Sequence, residues 1–154
     1  MSVYRRRRAA AGFTLFELLI VVLLLAVLVG IGFSNFFKSS ENSKADAAAA
    51  LLVQLVHANH MYALDHQGQY LSGALASGCG PCNQAAPTVC NLVACQYVAP
   101  QDFSQLPYAF TLNGAAGGNA TRLKGSGVYA DWGYSAAQNG QLTALGGAPL
   151  PAKQ

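Results

Sequence analysis

Four cysteines, three histidines and one isolated glutamate are the residues whose types and spacing invite a chemical reading. Cys79, Cys82, Cys90 and Cys95 crowd into a single segment. Cys79-Gly80-Pro81-Cys82 spells the thioredoxin dithiol, whose chemistry needs a strand before it and a helix after it to lower the thiol pKa. Ser77-Gly78 before the motif and Asn83 to Pro87 after it supply neither. Four thiolates could hold zinc, but the two pairs stand closer together than in a zinc ribbon. Two structural disulfides, suited to an oxidising compartment, are the expected chemistry. Three pairings are open, and a nested arrangement, Cys79–Cys95 around Cys82–Cys90, is the preferred expectation. His57, His60 and His66 lie at helical spacing with Asp65 nearby, yet no third ligand of suitable spacing joins them. They read as polar-face histidines, and neither a metal nor another cofactor is expected. No nucleophile–base set or phosphate-cradling loop is present, so the expected protein is not an enzyme.

Glu17 poses a different problem. From Leu18 to Phe33 no side chain is polar, and Phe13 to Phe33 spans about 30 Å as a helix, enough to cross a bilayer. A carboxylate near the start of such a segment costs up to about 2.5–3.5 kcal/mol at the bilayer centre and less at its edge. Such a residue calls for a partner, and no basic residue lies within one turn on its C-terminal side. A chain cut after Gly12 would place a new α-amine on Phe13, at the depth of Glu17. The basic stretch Arg5–Arg8 ahead of the apolar run reads as an export signal oriented by the positive-inside rule. An ordinary signal peptide would instead be cut after the apolar run, near Gly30, Gly32 or Ser34.

The order Gly12-Phe13-Thr14-Leu15-Phe16-Glu17-Leu18 resembles the N-terminal signature of type IV pilins and type II secretion pseudopilins. It has a short basic leader ending in glycine, then Phe-Thr-Leu-x-Glu-Leu and a hydrophobic helix. The resemblance covers roughly the first 30 residues. It implies cleavage between Gly12 and Phe13 by a prepilin peptidase, then N-methylation of Phe13. It further implies assembly in which Glu17, with Thr14 beside it in the motif, neutralises the Phe13 amine of a neighbouring subunit. The implied partners are identical or homologous pilin subunits, the peptidase, an inner-membrane assembly platform and, before assembly, the membrane. The implied location is the inner membrane, single-pass with the leader cytoplasmic and the head periplasmic. After assembly it is a surface pilus or a periplasmic pseudopilus. Many members carry a kinking proline about 22 residues after the cut, where this chain has Ser34. Gly30 and Gly32 fit either a helix that bends in the filament or close helix packing.

The elements that must position these residues follow from composition and period. The chain has 154 residues, 53% apolar and only 10% charged, too hydrophobic for disorder. Of nine basic residues, four are Arg5, Arg6, Arg7 and Arg8, so the rest of the chain carries five against six carboxylates. That balance offers no electrostatic footprint for nucleic acid. Residues 1–12 read as leader, 13–37 as the membrane or filament-core helix, and 38–67 as an amphipathic continuation. In that continuation Leu51, Leu55, Ala58 and Tyr62 form an apolar stripe flanked by Leu52 and Val56, and Gln67-Gly68 marks its stop. Residues 68–105 read as an irregular connection stapled by the cysteines.

Residues 106–145 read as a three- or four-stranded antiparallel meander. The candidate strands are Leu106 to Leu112, Arg122 to Lys124, Gly127 to Tyr134 and Gln141 to Leu145. Asn113-Gly114, Gly125-Ser126 and Asn139-Gly140 are the turns. Trp132 and the tyrosines read as packing residues, and 146–154 as a mobile tail. The expected fold is α+β, a long N-terminal helix packed on a small antiparallel sheet, pilin-like. The favoured function is a structural pilus subunit. Pseudopilins often carry a calcium-binding acidic cluster near the C-terminus, and Asp131 is isolated here, so a type II pseudopilin or minor pilin is the alternative. A membrane-anchored zinc or thiol-redox module is the alternative of another class.

Overall fold

The computed structural model describes residues 13–76, 78–123 and 129–151, apart from the side chains of 31–35. The expected leader, including Gly12, the Gly125-Ser126 turn with Lys124 and Gly127, and the end of the tail lie outside the described residues. The chain divides into two compact units, Met1–Ser39 and Ser40–Gln154.

Helix α1 spans Leu15–Asp65, passing through Gly30, Gly32 and Ser34 as helix. In the first unit its large apolar side chains are exposed, from Phe13 through Val29 and again at Phe36 and Phe37. In the second unit the helix is amphipathic. Ala45, Ala48, Ala49, Leu52, Leu55, Val56, Ala58 and Tyr62 face inward, while Leu51 of the expected stripe is only half-buried. The helix ends where a left-handed residue lets the backbone fold back on its own carbonyls. Gln67 takes φ 56° and Gly68 φ 85°, and the Gly68 amide donates to the Ala63 carbonyl at 2.7 Å.

The sheet of the second unit has five strands in sequential antiparallel order, one more than the largest expected count. They are β1 (Ser72–Ala74), β2 (Tyr108–Asn113), β3 (Gly118–Arg122), β4 (Gly133–Ala136) and β5 (Leu142–Leu145). The additional strand, β1, comes from the segment read as irregular. The strand expected from Arg122 is β3, and it begins four residues earlier, at Gly118, which lies at a crowded site in space. A Cβ on Gly118 would sit 2.9 Å from Leu112 Cδ2 and 3.2 Å from Leu52 Cδ1. Glycine there lets the helix approach the sheet.

Strand alternation puts Tyr108, Phe110 and Leu112 of β2, Ala120 of β3, and Tyr134 and Ala136 of β4 on the buried face. The second half of α1 and this face form one hydrophobic cluster, which also takes in Leu71, Val89, Leu92, Val98 and Phe103 from the connection. Trp132 is buried and meets Tyr129 edge-on, as a packing residue does. Part of the segment read as tail packs on the head. Ala148 is buried, and the buried Tyr134 hydroxyl donates to the Pro149 carbonyl at 2.7 Å. That burial raises the Tyr134 pKa to about 12.

A buried amide secures the chain where it leaves the helix. Asn59, 0% exposed, donates from Nδ2 to the Leu71 carbonyl and accepts the Leu71 amide on Oδ1, both at 2.9 Å. The side chain pairs with one backbone residue as a neighbouring strand would, leaving no buried polar group unmet there. Sequence reading passed over Asn59 because a lone polar residue on an apolar stripe has no local signature.

Candidate assembly site

Thr14 precedes the first turn of α1, and its hydroxyl accepts the Glu17 backbone amide at 3.2 Å. Its carbonyl takes the first helical bond, from the Leu18 amide at 3.2 Å. Thr14 therefore caps one of the otherwise unsatisfied amides of the helix start. The readable signal was Thr14-x-x-Glu17, the capping-box spacing. It gives Thr14 a local structural role that sequence analysis had not assigned. Glu17 also places a carboxylate in the first turn, where the helix dipole favours negative charge.

Around this pair every large side chain is apolar and open. Phe13 is 79% and Leu15 85% exposed, and exposure continues around the whole helix through Val29. A helix hydrophobic on all sides has no solvated face and is suited to lipid or to a bundle of like helices. The arrangement therefore combines a capped terminus, one carboxylate and an uncovered apolar rod. Residues 7–33 match the family model for the prokaryotic N-terminal methylation motif.

This chain carries the prepilin-type signal of type IV pilins and pseudopilins. No curated protein and no solved structure matches the chain. The long helix with its antiparallel sheet is an α+β, pilin-like arrangement. Within the prepilin-type signal the structure places Phe13, Thr14 and Glu17 together at the helix start, while Gly12 lies outside the described residues. Phe36–Asp65 is also long and apolar enough to cross a membrane by composition, but half of its most apolar window is buried. That half is the core helix of the head, and the exposed apolar helix Leu15–Gly30 is the part without cover.

The cysteines pair as Cys79–Cys90 and Cys82–Cys95, with Cα–Cα distances of 5.2 and 5.0 Å. The bridges are crossed in sequence, which corrects the nested expectation. The reason is helix α2, Asn91–Ala94, which has Cys90 as its N-cap and Cys95 as its C-cap. The 79–82 segment runs alongside α2 in the same direction, so first pairs with first and second with second. A nested pairing would require the two segments to run antiparallel. Asn83 turns the chain back, its Oδ1 accepting the amides of Ala85 and Ala86 at 3.1 and 3.2 Å. Its carbonyl accepts Nδ2 of the buried Asn91 at 2.7 Å. Because Cys79 and Cys82 belong to different bridges, the thioredoxin-like spelling is not a dithiol pair. The bridges also occupy the sulfurs that a four-thiolate zinc site would use.

The histidines are not brought together. His57 is exposed, His60 Nδ1 lies 2.9 Å from the Tyr70 hydroxyl, and half-buried His66 stacks on Tyr62 with ring centroids 3.9 Å apart. Beside that stack the Tyr97 hydroxyl donates to Asp65 Oδ2 at 2.7 Å, tying the cysteine region to the last residue of α1. The Asp65 carboxylate holds the Tyr97 proton and raises that pKa to about 12. At the other end of the head, Glu41 pairs with Lys44 at 2.8 Å and with Arg122 of β3, whose side chain is only 8% exposed. The Lys44 hydrogen bond, assisted by Arg122, lowers the Glu41 pKa.

Proposed function

We propose that this chain is a structural subunit of a type IV pilus that polymerises through its N-terminal helix. A prepilin peptidase cuts between Gly12 and Phe13, and the Phe13 amine is then methylated. The subunit waits in the inner membrane, with its head in the periplasm, for an assembly platform to add it to a filament. Lipid provides no strong hydrophobic drive for helices to associate. Attraction between Glu17 and a neighbour's Phe13 amine therefore supplies register, and the exposed apolar helix supplies bulk contact. The single observation that carries this reading is one carboxylate, four residues after Phe13, on an otherwise uncovered apolar helix that carries the methylation motif.

The disulfide-stapled head supports a pilus exposed outside the cell over a type II pseudopilus, as does the isolation of Asp131 among the described C-terminal residues. Mass spectrometry of the mature N-terminus tests the reading: methylated Phe13 is expected as residue one. A terminus after Gly30, Gly32 or Ser34 would overturn it. Shearing cells and imaging the released material separates the two filament types, with surface filaments containing this chain expected for a pilus.

A further inference from the structure

Two Asn-Gly pairs turn the sheet, Asn113-Gly114 after β2 and Asn139-Gly140 before β5, and the fold treats them differently. In such a pair the backbone nitrogen meets the least hindrance on its way to the side-chain amide, because glycine has no Cβ. We propose that Asn113 is a site of spontaneous deamidation in the folded head, whereas Asn139 is protected. In the reaction the Gly114 nitrogen, its proton lost to hydroxide, attacks the Asn113 side-chain carbonyl carbon. The new C–N bond closes a cyclic imide, and the side-chain nitrogen takes a proton from water and leaves as ammonia. Water then opens the ring at either carbonyl, giving aspartate or, with the backbone routed through the side-chain methylene, isoaspartate. Nothing is oxidised or reduced, and water is the only co-reactant.

The two turns differ in whether the attacking nitrogen and the side chain are free to meet. The Gly114 amide donates no hydrogen bond among the described residues, and exposed Asn113 makes no side-chain capping bond to the turn that follows it. A Cβ on Gly114 would meet nothing within 4 Å, so the approach is open. At the other turn the Gly140 amide donates to the Ala137 carbonyl at 2.9 Å. Asn139 is exposed as well, but its Oδ1 accepts the Gln141 amide at 3.0 Å, which ties the side chain forward into the turn. His57 Nε2 stands 3.4 Å from where a Gly140 Cβ would be. Asn139 must therefore break two hydrogen bonds before it can react, and Asn113 is spared both. The consequence falls on the edge of the sheet. Asn113 faces Ser72 in the register of β1 with β2, and its amide donates to the Gly117 carbonyl at 2.8 Å. Isoaspartate lengthens the backbone at that pair, and either product adds a carboxylate to a chain that has six.

The test uses the full chain, purified in detergent and held in mildly alkaline buffer. Samples are digested in water enriched in heavy oxygen, so that conversion during digestion is told apart from conversion before it, and mass spectrometry reads both sites. Conversion should be faster at Asn113 by about tenfold, the retardation expected when two hydrogen bonds must open first. Asn113 should yield both products, at a rate that rises with pH. In strong denaturant the two pairs lose their different surroundings, and their rates should draw level. Equal rates in the folded chain, faster conversion at Asn139, or no conversion at Asn113 overturns the proposal. So does a preference for Asn113 that persists in denaturant, because its cause would then be the sequence neighbours and not the fold. Asn113→Gln, whose longer side chain disfavours ring closure, should stop the conversion with both disulfides intact. A mass gain that continues in that peptide places the reaction elsewhere and overturns the assignment. None of these outcomes depends on filament assembly, so the pilus reading stands or falls separately.

Discussion

The two halves of α1 are both apolar, but they satisfy that apolarity in opposite ways. Leu23, in the first unit, is 58% exposed, whereas Leu52, in the second, is 0% exposed against the sheet. The head half finds its partners within the chain, in Phe110, Leu112 and Tyr134 brought there by strand pairing. The N-terminal half, in the proposed filament, finds them in lipid and then in other copies. A substitution in the first half should therefore change assembly while sparing the fold, and one in the second half should do the reverse.

The largest expected effect tests the first half of that contrast. Glu17→Ala keeps the backbone amide that Thr14 caps, so the helix start survives and only the carboxylate is lost. If that carboxylate pairs with a neighbour's amine, its removal costs about 3–5 kcal/mol at each added subunit. Cells should accumulate cleaved, folded protein with few or no filaments, as measured by shearing and electron microscopy. Glu17→Asp, with the charge kept and its reach shortened, should be intermediate. Normal filaments from Glu17→Ala would erase the distinction between the halves.

The next effect falls on the head alone. Replacing Cys82 by serine opens the Cys82–Cys95 bridge and should cost about 2–5 kcal/mol of head stability, read as a lower melting temperature or poor accumulation. Non-reducing peptide mapping of the unmodified protein should find Cys79 joined to Cys90 and Cys82 to Cys95. A nested map would mean that the 79–82 segment and α2 do not run in the same direction.

A smaller effect is expected at the ion pair near the start of the head. Lys44 and Arg122 hold the Glu41 carboxyl below its ordinary value of 4.5 in the folded state. Its stabilisation is therefore present above that value and is lost as pH falls through the lower folded pKa. Thermal melts recorded from about pH 6 down to about pH 3 should show a larger loss for the unmodified protein than for Glu41→Gln. At neutral pH, Glu41→Gln should itself cost about 2–3 kcal/mol, because Arg122 is left buried with a weaker partner. Equal pH profiles would show that the pair contributes nothing.

The smallest expected effect is at Tyr97. Its pKa is raised from 10.0 to about 12, so its contribution is complete below pH 10 and disappears as pH rises toward 12. Tyr97→Phe should cost about 0.5–1.5 kcal/mol near neutrality and reduce the alkaline loss of stability. The alkaline loss retained by that variant should fall further when Tyr134→Phe is added to it, since Tyr134 is raised to about 12 by its burial.

How much could be read in advance follows the reach of each interaction. The Phe13–Glu17 motif, the apolar run and the Gln67-Gly68 stop depend on residues a few positions apart, and the chain displays them directly. Even Thr14 capping Glu17 was available as a three-residue spacing, though it was passed over for the motif's assembly role. The crossing of the disulfides was not available, because four cysteines allow three pairings and only the course of 79–82 beside α2 chooses one. Strand β1 is three residues long and owes its place to pairing with Thr111, Leu112 and Asn113 some 40 positions later.

Asn59 and Gly118 mark the same boundary from the tertiary side. In sequence one is a lone polar residue on an apolar stripe and the other a glycine with no side chain to read. In space one meets both backbone groups of Leu71, and the other leaves room for Leu52. Sequence alone determines where this chain is apolar, where its helix is capped and stopped, and which signal stands at its N-terminus, since those depend on local chemistry and period. The pairing of its sulfurs, the order of its strands and the burial of Asn59, Gly118 and Arg122 are decided by the tertiary structure. The free energy of those contacts exists only once distant segments have met.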